Sequence, residues 1–359
     1  MTVLVMAGGT GGHVYPALAV ARELMQRGHC IEWVGTQRGL ESRVVPAADI
    51  KLHTLAVRGV RGKNLLHTLW GVLALGWSQL QALALVARMR PHCVLGMGGY
   101  AAGPAGLAAW LLRRPLVVHE QNAVAGTTNR LLAPLARRVI AGFAGAFKGR
   151  DDVLVLGNPV RAELLAAGER KQWSYDGQRP LRLLIVGGSL GAKPINDLLP
   201  EVVRTLQQSR GEVLEVLHQT GTVQAASVAE AYGELHNTAA RVQPFIEDMA
   251  AAYSWADLVL CRAGALTVAE LAVMGLPSLL IPLPHAIDDH QTGNARSLTE
   301  RGAGVLLRQS ELSAAALCAT LAGYIDQPAQ LAVMARAARE AARPDATRQV
   351  ADCCEEVAR

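Results

Sequence analysis

The feature that most constrains this chain is a plan that it uses twice. Val3-Leu4-Val5-Met6-Ala7 runs into Gly8-Gly9-Thr10-Gly11-Gly12, and a helical stretch, 16–27, follows with proline in its first turn. Arg182-Leu183-Leu184-Ile185-Val186 runs into Gly187-Gly188-Ser189-Leu190-Gly191-Ala192, and a second helical stretch, 194–208, lies behind it. An apolar strand, a glycine loop and a helix in that order open a βα unit, whose strand is buried on both faces. Two such openings in 359 residues predict two domains rather than one large sheet.

Apolar runs at 31–34, 94–95, 116–118, 258–260 and 278–281 continue the alternation. The expected class is α/β, with two Rossmann-like, doubly wound parallel sheets. The expected bounds are 1–160 for the first domain, 161–343 for the second and 344–359 for a final helix, with the linker at Gly157-Asn158-Pro159-Val160-Arg161. A 51% apolar, 18% charged composition excludes disorder. Six cysteines without a C-x-x-C pair exclude a zinc ribbon and fit a reducing compartment. No basic stretch precedes the first glycines, so no signal peptide is expected.

The net charge of +5 hides a division: residues 1–160 carry +10 and residues 161–359 carry −5. A basic half suits an anionic membrane, a phosphorylated ligand or nucleic acid. Within it, residues 64–87 carry no formal charge, a length that spans a bilayer. His67, Ser78, Gln79, Gln81 and two glycines interrupt that stretch, so a buried or interfacial helix is expected instead. Trp70, Leu73, Trp77 and Leu80 recur on one helical face, with Arg61 and Lys63 just ahead of them. Such a stripe is either an interfacial membrane patch or an ordinary core face with a solvated rim.

The first glycine loop places backbone N–H groups and a helix N-terminus after a strand, an arrangement that holds phosphate and that also serves as a tight turn. It is not a dinucleotide fingerprint: Val14 stands where glycine or alanine is needed, and the second strand ends Val34-Gly35-Thr36 with no acid placed for a ribose. A nicotinamide oxidoreductase is disfavoured accordingly. His13, at the junction of loop and helix, is either a general base or a structural histidine. Glu120, in His119-Glu120-Gln121-Asn122 at a strand's C-terminal end, is the second candidate, with charge balance as its alternative. Met97-Gly98-Gly99-Tyr100 is another glycine loop, pointing to a second phosphorylated ligand or to close packing. In the second half, Gly264 opens a helix carrying Thr267 and Glu270, suited to a diphosphate and a ribose diol. The histidines and aspartates from 285 to 290 lack a helical i, i+4 ligand pair, so no metal site is read there.

Together and in order, these glycine loops, His119-Glu120-Gln121-Asn122, Gly157-Asn158-Pro159-Val160-Arg161 and Gly264-Ala265-Leu266-Thr267-Val268-Ala269-Glu270 resemble glycosyltransferase family 28, the bacterial lipid II-forming N-acetylglucosaminyltransferases. The resemblance covers essentially the whole chain. It implies a GT-B fold, with two domains facing a cleft and the final helix returning to the first. It implies inverting transfer of GlcNAc from UDP-GlcNAc to the C4 hydroxyl of MurNAc-pentapeptide-diphosphoryl-undecaprenol (lipid I), giving lipid II for peptidoglycan. Another GT-B enzyme, a UDP-GlcNAc 2-epimerase or a soluble-acceptor transferase, is the alternative, and would not need the uncharged tryptophan-bearing helix.

The same resemblance places Thr10, Gly11, Gly12 and Asn122 by the donor sugar and phosphates, Arg161 and Ser189 on the diphosphate, and the Ile246 backbone at the uracil. Ala265, Leu266, Thr267, Val268 and Ala269 would form the diphosphate helix, with Glu270 on the ribose and Gln291 on the sugar. Gly9, Gly99 and Tyr100 would meet the acceptor diphosphate. No cofactor is required, and divalent cations are at most stimulatory. The implied location is peripheral, on the cytoplasmic face of the inner membrane, with an anionic membrane surface and cell-wall or division proteins as partners and no nucleic acid. Leu190 departs from the family pattern, which commonly has glutamine, and the loop before Gln291 is one residue longer.

Overall fold

The computed structural model describes residues 1–57, 65–188 and 190–359, and the side chains of all of these except 65–73 and 287. Arg61, Lys63 and Ser189 lie outside the described residues, as do the side chains of Trp70 and Leu73. The chain forms two units, Met1–Arg161 with Pro344–Arg359, and Ala162–Arg343.

The first unit is a seven-stranded parallel sheet: β1 (Thr2–Met6), β2 (Cys30–Gly35), β3 (Lys51–Thr54), β4 (Cys93–Gly96), β5 (Leu116–Glu120), β6 (Arg138–Ala141) and β7 (Val153–Val155), in the order β3-β2-β1-β4-β5-β6-β7. Strand order reverses between β1 and β4, where Val5 pairs with Leu95. A doubly wound sheet opens its ligand crevice at such a switch point, outside the carboxyl ends of the strands. Both faces of β1 are buried, which explains its unbroken apolar run.

The helix behind β1 is Gly11–Gln26, so it starts a turn earlier than Pro16 suggests. Thr10 adopts the extended N-cap conformation, and its carbonyl accepts from the N–H groups of His13 and Val14 at 3.1 and 3.2 Å. Pro16 is thus inside the helix, and Gly11, Gly12 and His13 form its first turn. The final helix, Ala346–Ala358, packs on this one: Val350, Cys354 and Val357 share a core with Val20 and Leu24. Arg27 pairs with Asp352 at 2.7 Å and Glu355 at 3.2 Å, clamping the chain's end to its beginning.

The uncharged stretch forms the helix Leu65–Met89. Ala82, Leu85 and Val86 are buried in one core with Ala101, Ala102 and Ala105. Trp77 and Leu80 are each 60% exposed, so their half of the expected stripe faces outward rather than into a core. Among the described residues, no helix is long and apolar enough to cross a membrane.

The second unit has six parallel strands: β8 (Leu181–Val186), β9 (Leu214–Gln219), β10 (Ala240–Gln243), β11 (Leu258–Cys261), β12 (Ser278–Leu280) and β13 (Gly304–Leu306), in the order β10-β9-β8-β11-β12-β13. Its switch point lies between β8 and β11, below Gly187-Gly188 and Gly264.

Candidate active site

In the first unit two glycine loops leave neighbouring strands and touch. Gly99 has φ +91°, and a Cβ there would lie 2.5 Å from the Gly8 carbonyl oxygen. Gly98 has φ +100°, and its Cβ would stand 2.9 Å from Nδ1 of His13. Only glycine supplies both the left-handed backbone and the space. His13 is therefore held against the second loop, at the switch point of the sheet. Tyr100, beside it, is 65% exposed.

The first loop is organised by a residue that sequence reasoning missed. Glu41 is fully buried, and its Oε2 accepts the Gly9 N–H at 2.9 Å. Its Oε1 accepts the Thr36 N–H at 2.8 Å and the Thr36 hydroxyl at 2.7 Å. A Cβ on Gly8 would come within 2.6 Å of this carboxylate and one on Gly35 within 2.5 Å of its Cγ, so both glycines make room for it. The N–H of Gly9, a residue expected near the acceptor diphosphate, is thus taken by Glu41. The N-terminal turn at Gly11 and Gly12 keeps the dipole that favours an anion. The only sequence signal for Glu41 was the glycines at 35 and 39 that crowd around it.

Glu120 is 1% exposed at the end of β5. Oε1 accepts from the Asn122 N–H at 2.9 Å and from Asn122 Nδ2 at 3.2 Å. Oε2 accepts from the Gly126 N–H at 3.0 Å and from Asn129 Nδ2 at 2.8 Å. Four donors surround the carboxylate, which thereby shapes the 121–129 loop and orients Asn122. The neighbouring Gln121 joins His13 instead: the ring Nδ1 and the amide Oε1 are 2.8 Å apart. Arg161, expected at the diphosphate, lies with its guanidinium 5.7 Å from the centre of the Tyr15 ring, a cation–π contact on the first unit's side of the boundary.

In the second unit, Gly264 adopts the extended N-cap conformation and opens the helix Ala265–Met274, which carries Leu266, Thr267, Val268 and Ala269 in its first turns. Glu270 is 5% exposed, and its Oε2 accepts from the Tyr253 hydroxyl at 3.3 Å. Cys261, under this helix, has its thiol pushed up to about 12 by burial and by Glu270, so it stays a neutral, inert thiol. Ile246 is buried beside the exposed Phe245. Gln291 turns its amide oxygen back onto the Leu283 N–H at 3.0 Å. The two residues before its helix, Asp288 and Asp289, have φ of 53° and 49°, a left-handed pair that non-glycine residues hold only under local constraint.

Elsewhere, the first unit shows apolar residues to solvent. Trp110 and Leu111, at the end of the helix Ala102–Leu111, are 48% and 51% exposed, on the helix that packs beside Leu65–Met89. Trp110, Arg113, Arg114 and Arg137 line a shallow pocket of about 300 Å³.

Comparison with known proteins matches residues 3–141 to the glycosyltransferase family 28 N-terminal domain and residues 182–350 to the family 28 C-terminal domain. A UDP-N-acetylglucosamine–N-acetylmuramyl-(pentapeptide) pyrophosphoryl-undecaprenol N-acetylglucosamine transferase of Stutzerimonas stutzeri is 54% identical, over 99% of this chain and 98% of its own. The protein of the same description from Alkalilimnicola ehrlichii is 53% identical, over 100% and 99%. The crystal structure of Acinetobacter baumannii MurG superposes with a TM-score of 0.83 at 40% identity, covering 99% of each chain.

Proposed function

The chain belongs to glycosyltransferase family 28, and from that membership we infer the reaction and then the residues that run it. It is a UDP-GlcNAc-dependent transferase that moves GlcNAc to lipid I and makes lipid II, as the names of its half-identical relatives state for them. Its two parallel-sheet domains are those of a GT-B enzyme.

The chemistry is one displacement. The acceptor's C4 oxygen forms a bond to the sugar C1 as the bond from C1 to the diphosphate breaks, and the electron pair leaves with UDP. Charge thus grows on the diphosphate while the hydroxyl must lose a proton. We assign the proton to His13. The observation that carries this is the saturation of Glu120 by four donors, which withdraws the rival carboxylate and leaves the half-buried imidazole between the two glycine loops. The donor's diphosphate is assigned to the N-terminus of Ala265–Met274, whose dipole stabilises the leaving charge without needing a metal. Glu270 is assigned to the ribose hydroxyls, and Thr10, Gly11, Gly12, Asn122, Arg161, Ile246 and Gln291 keep the donor contacts that the family pattern gives them.

We further propose that Trp77, Leu80, Trp110 and Leu111, with the arginines of the pocket at 113, 114 and 137, rest on an anionic membrane. This makes the enzyme peripheral, on the inner-membrane face where the lipid acceptor is met. The test is transfer of labelled GlcNAc from UDP-GlcNAc to a lipid I analogue. A His13→Gln variant loses about 10²–10⁴-fold in kcat, the usual worth of a general base. If it keeps a kcat within about twofold of the parent, His13 is not the base.

A further inference from the structure

We propose that Gln121 and His119 form a buried relay that fixes the tautomer of His13 and leaves Nε2 as its basic nitrogen. Its functional meaning rests on the reading of His13 as the base. The relay begins at a group whose role is unambiguous. The carbonyl oxygen of Gly157 only accepts, and His119 Nε2 lies 2.9 Å from it, so Nε2 carries a hydrogen. His119 is fully buried, and burial pushes its pKa down to about 4, so the ring is neutral and its Nδ1 holds a lone pair.

That lone pair orients the next member. Gln121 Nε2 lies 3.1 Å from His119 Nδ1, 3.3 Å from the His119 carbonyl oxygen and 3.9 Å from the Met97 sulfur. All three are acceptors, so the amide nitrogen must face them. The flipped amide would set its oxygen against all three. Gln121 Oε1 is thereby turned to His13, 2.8 Å from Nδ1, and an amide oxygen only accepts. His13 must donate from Nδ1, and the neutral ring then keeps its lone pair on Nε2.

The backbone around the relay is tied down as well. Asn158 Nδ2 donates to the Gln121 carbonyl at 3.0 Å, and Asn129 Nδ2 donates to the His119 carbonyl at 3.1 Å. Gly98 closes the Nδ1 side of the ring, since any side chain there would displace it. Gln121 and His119 are positioning residues: they act through His13, and they supply the base with a constant tautomer without adding a charge to the crevice.

The tautomer is read directly from the ring-nitrogen shifts of the full chain labelled with ¹⁵N-histidine, with the His13 signals assigned by their loss in His13→Gln. The expected result is a protonated Nδ1 and an unprotonated Nε2 on neutral His13. Gln121→Met keeps the side chain's length but accepts no hydrogen bond. It should release the ring into the other tautomer and lower kcat at least about tenfold, up to the roughly 10²–10⁴-fold that a general base supplies. The KM for UDP-GlcNAc should stay unchanged. A protonated Nε2 in the parent protein overturns the relay, and so does a folded Gln121→Met protein with parental shifts and kcat. The parent spectrum decides the point alone if that variant does not fold. A protonated Nδ1 together with an active His13→Gln enzyme would keep the relay and remove His13 as the base.

Discussion

Glu41→Gln tests how the acceptor-side loop is built. The carboxylate receives two backbone N–H groups on different oxygens and one hydroxyl. Glutamine has the same shape but one oxygen only. Whichever way its amide turns, an NH₂ group faces the N–H of Gly9 or of Thr36, and that N–H is orphaned in a buried site. An unsatisfied buried donor costs about 1–3 kcal/mol, and the surviving bonds lose the extra strength of a charged acceptor, so about 2–4 kcal/mol in all. For a domain of this size that lowers Tm by roughly 5–15 °C. Scanning calorimetry with and without UDP separates the transitions, because UDP shifts only the unit that binds it. The first unit's transition should fall, and the KM for the lipid acceptor should rise as the Gly9 turn relaxes. A Tm within about 1 °C of the parent and an unchanged acceptor KM would refute Glu41 as the loop's organiser.

Three other outcomes are expected. Glu270→Ala removes a hydrogen bond from ribose to a carboxylate worth about 1.5–3 kcal/mol, so the KM for UDP-GlcNAc should rise roughly 10–100-fold by steady-state kinetics, with vesicle binding intact. Arg113→Ala with Arg114→Ala should lose about 1 kcal/mol of attraction per charge to anionic vesicles, roughly a 30-fold drop in partitioning by sedimentation; unchanged partitioning would move the membrane face elsewhere. His119 and His218 are buried neutral rings, one in each unit, with pKa values lowered by burial from 6.5 to about 4 and about 3. Between those values and 6.5 the unfolded chain takes up protons that the folded chain refuses, so stability should rise with pH from about 4 to 6.5 and be lost as pH falls, on the order of 3 kcal/mol for each ring. Urea unfolding at pH 4.5 and 7 checks this, and His218→Phe should flatten the second unit's share.

The parts of the site that sequence made legible are those whose cause is local. A glycine loop after a buried strand is readable because the strand's apolar run and the loop's missing side chains are adjacent in the chain. The first helix starts five residues before Pro16, because proline favours a first turn without fixing it, whereas the extended Thr10 decides where the helix begins. Glu120 was legible as a candidate because it stands at a strand's C-terminal end. That position in the chain does not reveal that Asn122, Gly126 and Asn129 fold back to donate to it.

Two βα openings, two parallel sheets and the glycine loops at their strand ends were written in the sequence, because periodicity and backbone freedom are properties of neighbouring residues. Only the tertiary structure shows which partners the groups at those strand ends have. Glu41 meets Gly9 from 32 residues away, and Gln121 meets His13 from 108. A carboxylate's burial and an imidazole's tautomer are set by such distant partners, and only the closed sheet brings them within hydrogen-bonding reach.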